Sequence, residues 1–451
     1  MHFLKNWILN LLLLLIVSAF SGNIRILAVG VEVDKIGFGN TEVLKADPGD
    51  PSYPDTWAIV KTNGVFKTLK PIAYRSGTSH SVALQPSVSV VVKVTSVPID
   101  TRVWLKLVLS DGVEFGPIKR DITTSMVGFE EIFNMPAVLT YPYPTRQAST
   151  QNITATVKRW DCPNDDPWCD YPPVDATWSD IATTSAITRY LTYGSGSLLD
   201  DNKFHTLYHL SCNPGSANGI DSIVLQTFDS WFLNRNVKNH KGQSLVYYPD
   251  SNPWPYVQET TAAQLLQAKQ GQCYSFLDLF FKACEIHENL SNTRLINKII
   301  TPSNYKPHDK FILIKSFGNI LSATEQVAYP SYIYADPYYT TTQNAFDICY
   351  TVSGTVWENS GLPGQNNSNP GQKVFTNHWT GLFVDLYGKE YILDPSYGGK
   401  FWNTPTATDK WERYEDALVE GYGGYGHRWG DVWNDMYARK QIPMVQEVDI
   451  D

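Results

Sequence analysis

The chain has 451 residues, 43% of them hydrophobic and 18% charged, enough apolar material for sizeable cores and too much for a disordered protein. Its length predicts two or three domains. A formal charge of -9, with no basic stripe to neutralise phosphates, argues against a nucleic-acid partner.

The first element is a leader. Lys5 precedes the apolar run 8–17, and Ala19-Phe20-Ser21 places small residues where a signal peptidase cuts, so residues 1–21 read as a signal peptide. The alternative is an uncleaved N-terminal anchor. The run is shorter than the roughly 20 residues that cross a bilayer, and no later stretch is long enough. The expected product is secreted, periplasmic or on the cell surface, with no integral membrane span once the leader is removed.

Residues 24–145 alternate. Val88, Val90, Val92 and Val94 form one period-2 series, and Val103, Leu105, Leu107 and Leu109 form another that runs up to the turn pair Asp111-Gly112. Asn63-Gly64 marks a further hairpin. Short strands with such turns predict an Ig-like antiparallel β-sandwich, read as a spacer or as a binding module.

Residues 146–217 read as a connecting region, with short strands expected over 153–160 and 206–210. Cys162 and Cys169 bracket a short loop and are expected to be bridged if the chain is exported. Asp161, Asp165, Asp166 and Asp170 lack the spacing of a calcium loop and read as a solvated turn. With Cys273 set aside, Cys212, Cys284 and Cys349 are an odd number, which leaves at least one thiol free. Cys284 reads as core.

The last domain is expected over 218–451. Ile220, Ile223, Val224, Thr227, Phe228 and Trp231 share a helical face, and extended chain follows at Leu245-Val246-Tyr247-Tyr248. Thr260 or Thr261 is placed to cap a short helix over 262–269. That helix leads into Gly271-Gln272-Cys273, where a glycine lets the chain turn and puts the thiol at a helix N-terminus, whose N–H groups favour thiolate. Cys273, Phe276, Leu277, Phe280 and Cys284 then form one apolar stripe. A long insertion over 285–377, glycine- and proline-rich at its end, reads as a flap or a connector. His378 opens a strand, Gly388-Lys389 turns it, and the returning strand ends on Asp394-Pro395-Ser396. An imidazole beside a thiolate, oriented by a carboxylate, is the arrangement that cysteine acyl transfer requires. The aromatic tail after Asp394, with Trp402, Trp411 and Tyr414, reads as cover for the sheet.

In this order the motifs resemble those of the transglutaminase-like superfamily: a glycine-x-cysteine helix start, a histidine and aromatic opening a strand, and a strand ending in Asp-Pro-Ser. The resemblance covers roughly 218–397. It implies an α+β cysteine domain of papain-like fold, with Cys273 as nucleophile, His378 as base and Asp394 as orienting acid, acting on a protein or peptide substrate without metal or cofactor. For the oxyanion, the Cys273 backbone N–H would be one donor. Gln267, six residues before the nucleophile, and Trp254, through its indole N–H, are the candidates for the second. The segment Gln270-Gly271-Gln272-Cys273 also resembles papain-like cysteine proteases, but their third member is an asparagine, where this chain has Asp394. His308, beside Asp309, is the competing base. A third reading is an inactive exported binding or scaffold protein that keeps the fold. Acceptor, oligomeric state and calcium requirement are not encoded in these motifs.

Overall fold

The computed structural model describes residues 29–39, 41, 44–54, 56–75, 87–97, 100–136, 148–163, 170–172, 176–194, 199–212, 217, 219–247, 261–288, 290, 294–301, 310–314, 331–332, 350–352, 355–356, 364–366, 374–375, 378–402, 410, 414, 419–424 and 444–447. The leader, Trp254, His308, Asp165, Asp166, Cys169 and Cys349 lie outside them.

The first half is built of strands: β1 Gly30–Gly39, β2 Ile59–Thr62, β3 Val65–Thr68, β4 Ile72–Arg75, β5 Ser87–Ser96, β6 Thr101–Leu109, β7 Glu114–Ile122, β8 Glu130–Pro136, β9 Ser149–Ile153, β10 Ala155–Pro163, β11 Ser179–Thr183 and β12 Ile187–Thr192. Antiparallel pairing gives one sheet in the order β3-β2-β1-β5-β8 and a second in the order β11-β10-β6-β7. The two predicted valine and leucine series fill a single core between them, with Val88, Val90, Val92, Val94, Val103, Leu105 and Leu107 buried. Both turns form where expected. Asn63 and Gly64 take φ of 51° and 80°, which suits a two-residue hairpin with right-twisted strands, and Gly112 takes φ of 89°.

A third sheet, β4-β12-β9, lies between this core and the next. Because alternate residues of a strand face opposite ways, Ile72, Tyr74, Ile187 and Leu191 join the first core while Ala73 and Tyr190 join the second. Strands β9 to β12 thus share sheets and core with the strands before residue 137. The segment 206–210 is not a strand. His205–Cys212 is a helix with all but His209 buried, and its apolar side chains reach core on several faces at once, which an edge strand could not offer them.

In the second half, helix Ile220–Thr227 carries the predicted face and runs into a π-helical turn Phe228–Phe232. β13 Val246–Tyr247 pairs in parallel with β14 Gln270–Gly271. Between them Thr261 caps helix Ala262–Ala268, accepting from Gln264 N while the Gln264 side chain accepts from Thr261 N. Helix Cys273–Glu285 follows directly. The remaining strands are β15 Leu295–Thr301, β16 Lys310–Ile314, β17 Ser331–Tyr332, β18 Tyr350–Val352, β19 Thr355–Val356, β20 Val374–Phe375, β21 His378–Val384, β22 Glu390–Asp394, β23 Gly399–Trp402, β24 Val419–Gly424 and β25 Met444–Glu447. Their main sheet is antiparallel, in the order β23-β22-β21-β15-β25.

The Cys273 helix is buried on more than the one stripe expected. Ser275, Leu279, Phe281 and Ala283 are buried with Cys273, Phe276, Leu277, Phe280 and Cys284. The sheet covers one side through β21, and helices His205–Cys212, Ile220–Thr227 and Ala262–Ala268 cover the rest. Among the described residues no helix is long and apolar enough to cross a membrane.

Candidate active site

Local sequence sets the thiol first. Lys269 ends the capping helix in the left-handed region, with φ of 62°, so the sharp turn sits two residues before Gly271. Gly271 serves a different purpose from the one expected. A Cβ there would stand 2.3 Å from Ser275 Oγ and 3.0 Å from Leu265 Cδ1, so glycine lets β14 pass close over the start of the next helix. Gln272 takes extended φ and ψ and makes no side-chain cap bond. The first-turn N–H groups, Cys273's among them, therefore receive no partner from the N-cap side chain. Cys273 is buried, and Ser396 Oγ donates to its carbonyl at 3.4 Å.

The hairpin sets the base and the acid. β21 and β22 pair in the register Gly381 to Leu393, which puts Thr380 opposite Asp394 and His378 on the diagonal two residues away, on the same face. Asp385 N donates to Lys389 O, and Gly388, with φ of 76°, closes the turn. His378 Nε2 lies 2.8 Å from Asp394 Oδ2, with both side chains buried. The carboxylate is held from its other side, where Oδ1 accepts from Ser396 N at 3.0 Å and from Tyr397 N at 3.1 Å. The strand turn at Asp394-Pro395-Ser396 supplies these two donors itself.

Helix and hairpin meet through a small residue. A Cβ on Gly381 would lie 2.9 Å from Phe281 Cε1 and 3.3 Å from Leu277 Cδ1, so the strand carrying His378 rests directly on the helix carrying Cys273. The Tyr274 and Trp379 rings, one residue after each reactive group, pack at 4.6 Å. Burial disfavours a charged imidazole, but Asp394 by charge and hydrogen bond, together with Cys273, outweighs it and pushes His378 up to about 10. Nε2 faces Asp394, and the nearby Cys273 contributes to the ring's raised proton affinity. The described structure thus brings Cys273, His378 and Asp394 together in one buried cluster.

The two second-donor candidates are placed differently. Gln267 lies on the exposed side of its helix, beside Gly49, while Leu265 and Leu266 face the core. Trp254 lies outside the described residues, as does the competing base His308. Sequence reasoning took Tyr414 only as sheet cover. Its side chain is fully buried and its hydroxyl donates to Asp394 Oδ2 at 3.0 Å; its place in an aromatic-rich tail was the one signal in the sequence.

The other cysteines differ in kind. Cys212 and Cys284 are free and fully buried, and burial pushes both thiols up. Cys162 is not a free thiol. Asp170 pairs with Arg102 at 2.9 Å and Lys119 at 3.0 Å, and Asp161 pairs with Arg159, so these two carboxylates are engaged by cations of the protein itself.

One group of metal-ligating side chains comes together among the described residues: Asp47, Asp50 and His240. It already has internal partners. Thr206 N and Oγ1 donate to Asp47, His240 Nδ1 lies 3.0 Å from it, and Lys241 Nζ lies 2.6 Å from Asp50. We read it as the tie that fastens residues 45–50 to helix His205–Cys212.

Comparison with protein families, with curated proteins and with solved structures finds no match for this chain. The functional reading therefore stands on the geometry.

Proposed function

We propose that the protein is an exported, cysteine-dependent acyl-transfer enzyme of transglutaminase-like type, in which an Ig-like β-sandwich precedes a papain-like α+β domain. The observation that carries this reading is the buried cluster of Cys273, His378 and Asp394 at the junction of one helix start and one hairpin.

In this reading the Cys273 thiolate attacks the carbonyl carbon of a peptide or side-chain amide, and the C–S bond forms as the carbonyl oxygen takes up negative charge. The Cys273 N–H, at the open N-terminus of its helix, donates to that oxyanion. When the C–N bond breaks, the His378 imidazolium gives its proton to the leaving amine, and the neutral ring next takes one from the acceptor that cleaves the thioester. A water acceptor gives hydrolysis and an amine gives crosslinking. Asp394 fixes the ring tautomer and stabilises the imidazolium in both steps. Asp394 in the third position, where papain-like proteases have asparagine, favours the transglutaminase-like assignment over the protease one. Export and a Cys162–Cys169 bridge belong to the same proposal.

The test is labelling with an electrophilic amide-directed probe, followed by peptide mapping. Label confined to Cys273, lost together with turnover in a folded Cys273→Ala variant, is the expected result. Retained turnover in that variant overturns the assignment, and a folded wild type that takes no label supports the scaffold reading instead.

A further inference from the structure

Four donors converge on one buried carboxylate. Asp394 Oδ1 accepts the two backbone N–H groups of Ser396 and Tyr397, while Oδ2 accepts both His378 Nε2 at 2.8 Å and Tyr414 Oη at 3.0 Å. Tyr414 is fully buried, and its ring is fixed edge-on against Phe401 at 5.4 Å and 87°. A phenol held this rigidly loses little entropy in making its bond. It also sits on the oxygen that matters, since donors to Oδ1 orient the carboxylate while a donor to Oδ2 competes directly with the imidazole.

We propose that the Tyr414 hydroxyl is a positioning group for the His378–Asp394 pair, keeping the carboxylate in line with the ring while tempering its hold on the imidazole proton. The chemistry gives this a purpose. A lone buried carboxylate would bind the imidazolium so tightly that the ring became a poor acid toward the leaving amine, and a second donor on the same oxygen spreads that charge. Among the described residues, the titratable groups seen to face His378 are Asp394 from β22, Cys273 from its helix, and the Tyr397 phenol, whose ring lies 5.2 Å away and whose hydroxyl donates to Tyr247 Oη. Tyr414 acts on His378 only through Asp394. Its purpose in turnover rests on the acyl-transfer reading, whereas its effect on His378 does not.

The test is a ¹³C NMR titration of the His378 ring, identified by its loss in His378→Gln, in the full chain. Tyr414→Phe keeps the ring against Phe401 and removes only the hydroxyl. The His378 midpoint is expected to rise by about half to one pH unit in that variant. It should not move when Tyr414→Phe is added to Asp394→Asn, because the carboxylate that transmits the effect is gone. Replacing Tyr414 by 3-fluorotyrosine, a stronger donor of the same shape, should lower the midpoint, and this arm still decides if Tyr414→Phe does not fold. An unchanged or lowered midpoint in Tyr414→Phe, an equal shift in both backgrounds, or no effect of the fluorinated ring overturns the proposal. Slow alkylation of wild-type Cys273 at pH 6–7 would count against the acyl-transfer reading alone, and the His378 titration would still decide the role of Tyr414.

Discussion

Replacing Asp394 by Asn removes the charge that lets a fully buried imidazole hold a proton. The ring is almost wholly excluded from solvent, and burial alone would weaken its affinity for protons; with Asp394 and Cys273 beside it the affinity rises to about 10, against 6.5 for an ordinary histidine. At about 1.36 kcal/mol for each tenfold in affinity, the difference amounts to several kcal/mol, and breaking a buried pair typically costs ~3–5 kcal/mol. Asp394→Asn should therefore destabilise the fold by about 3 kcal/mol near pH 6.5. The sign with pH follows from the direction: an affinity raised in the folded state contributes stability that is complete below about 6.5 and is lost as pH climbs through about 10. The gap between wild type and variant should narrow steadily over that window. Urea unfolding followed by tryptophan fluorescence at pH 6.5, 8 and 9.5 measures it. A gap that stays constant across the three values would refute the claim that His378 is held as a charged partner of Asp394.

Gly381→Val should cost about 1–3 kcal/mol, because the added atoms meet Phe281 and Leu277; it should also slow Cys273 alkylation by moving the His378 strand off the helix, and an unchanged rate in the folded variant would contradict that. Cys212 and Cys284, fully buried with their thiols pushed up, should resist iodoacetamide at pH 7 in folded protein and react only in denaturant, as peptide mapping would show.

What the sequence made legible was local. Thr260 or Thr261 was placed to cap a helix over 262–269, and Thr261 does so; the hairpin of β21 and β22 brought His378 to Asp394 because a strand pair fixes its own register. Non-local features escaped. Tyr414 reaches Asp394 from 20 residues away, and nothing in its neighbourhood names the carboxylate it serves. Gly271 looked like a turn residue, yet its constraint is the nearby Ser275 and Leu265 side chains, which only packing reveals. The segment 206–210 has strand-like composition but folds as helix, because burial on several faces outweighs intrinsic preference. The parallel pairing of β4 with β12, which joins residues more than a hundred positions apart, has no sequence signature of its own.

The most direct test of the central claim is the pH dependence of Cys273 alkylation in wild type and in His378→Ala. A thiolate held by the imidazolium reacts fast at pH 6–7 in the wild type, and without the ring that fast reaction should disappear. An identical profile in the two proteins, or a fast reaction lost in His308→Ala and kept in His378→Ala, would contradict the account.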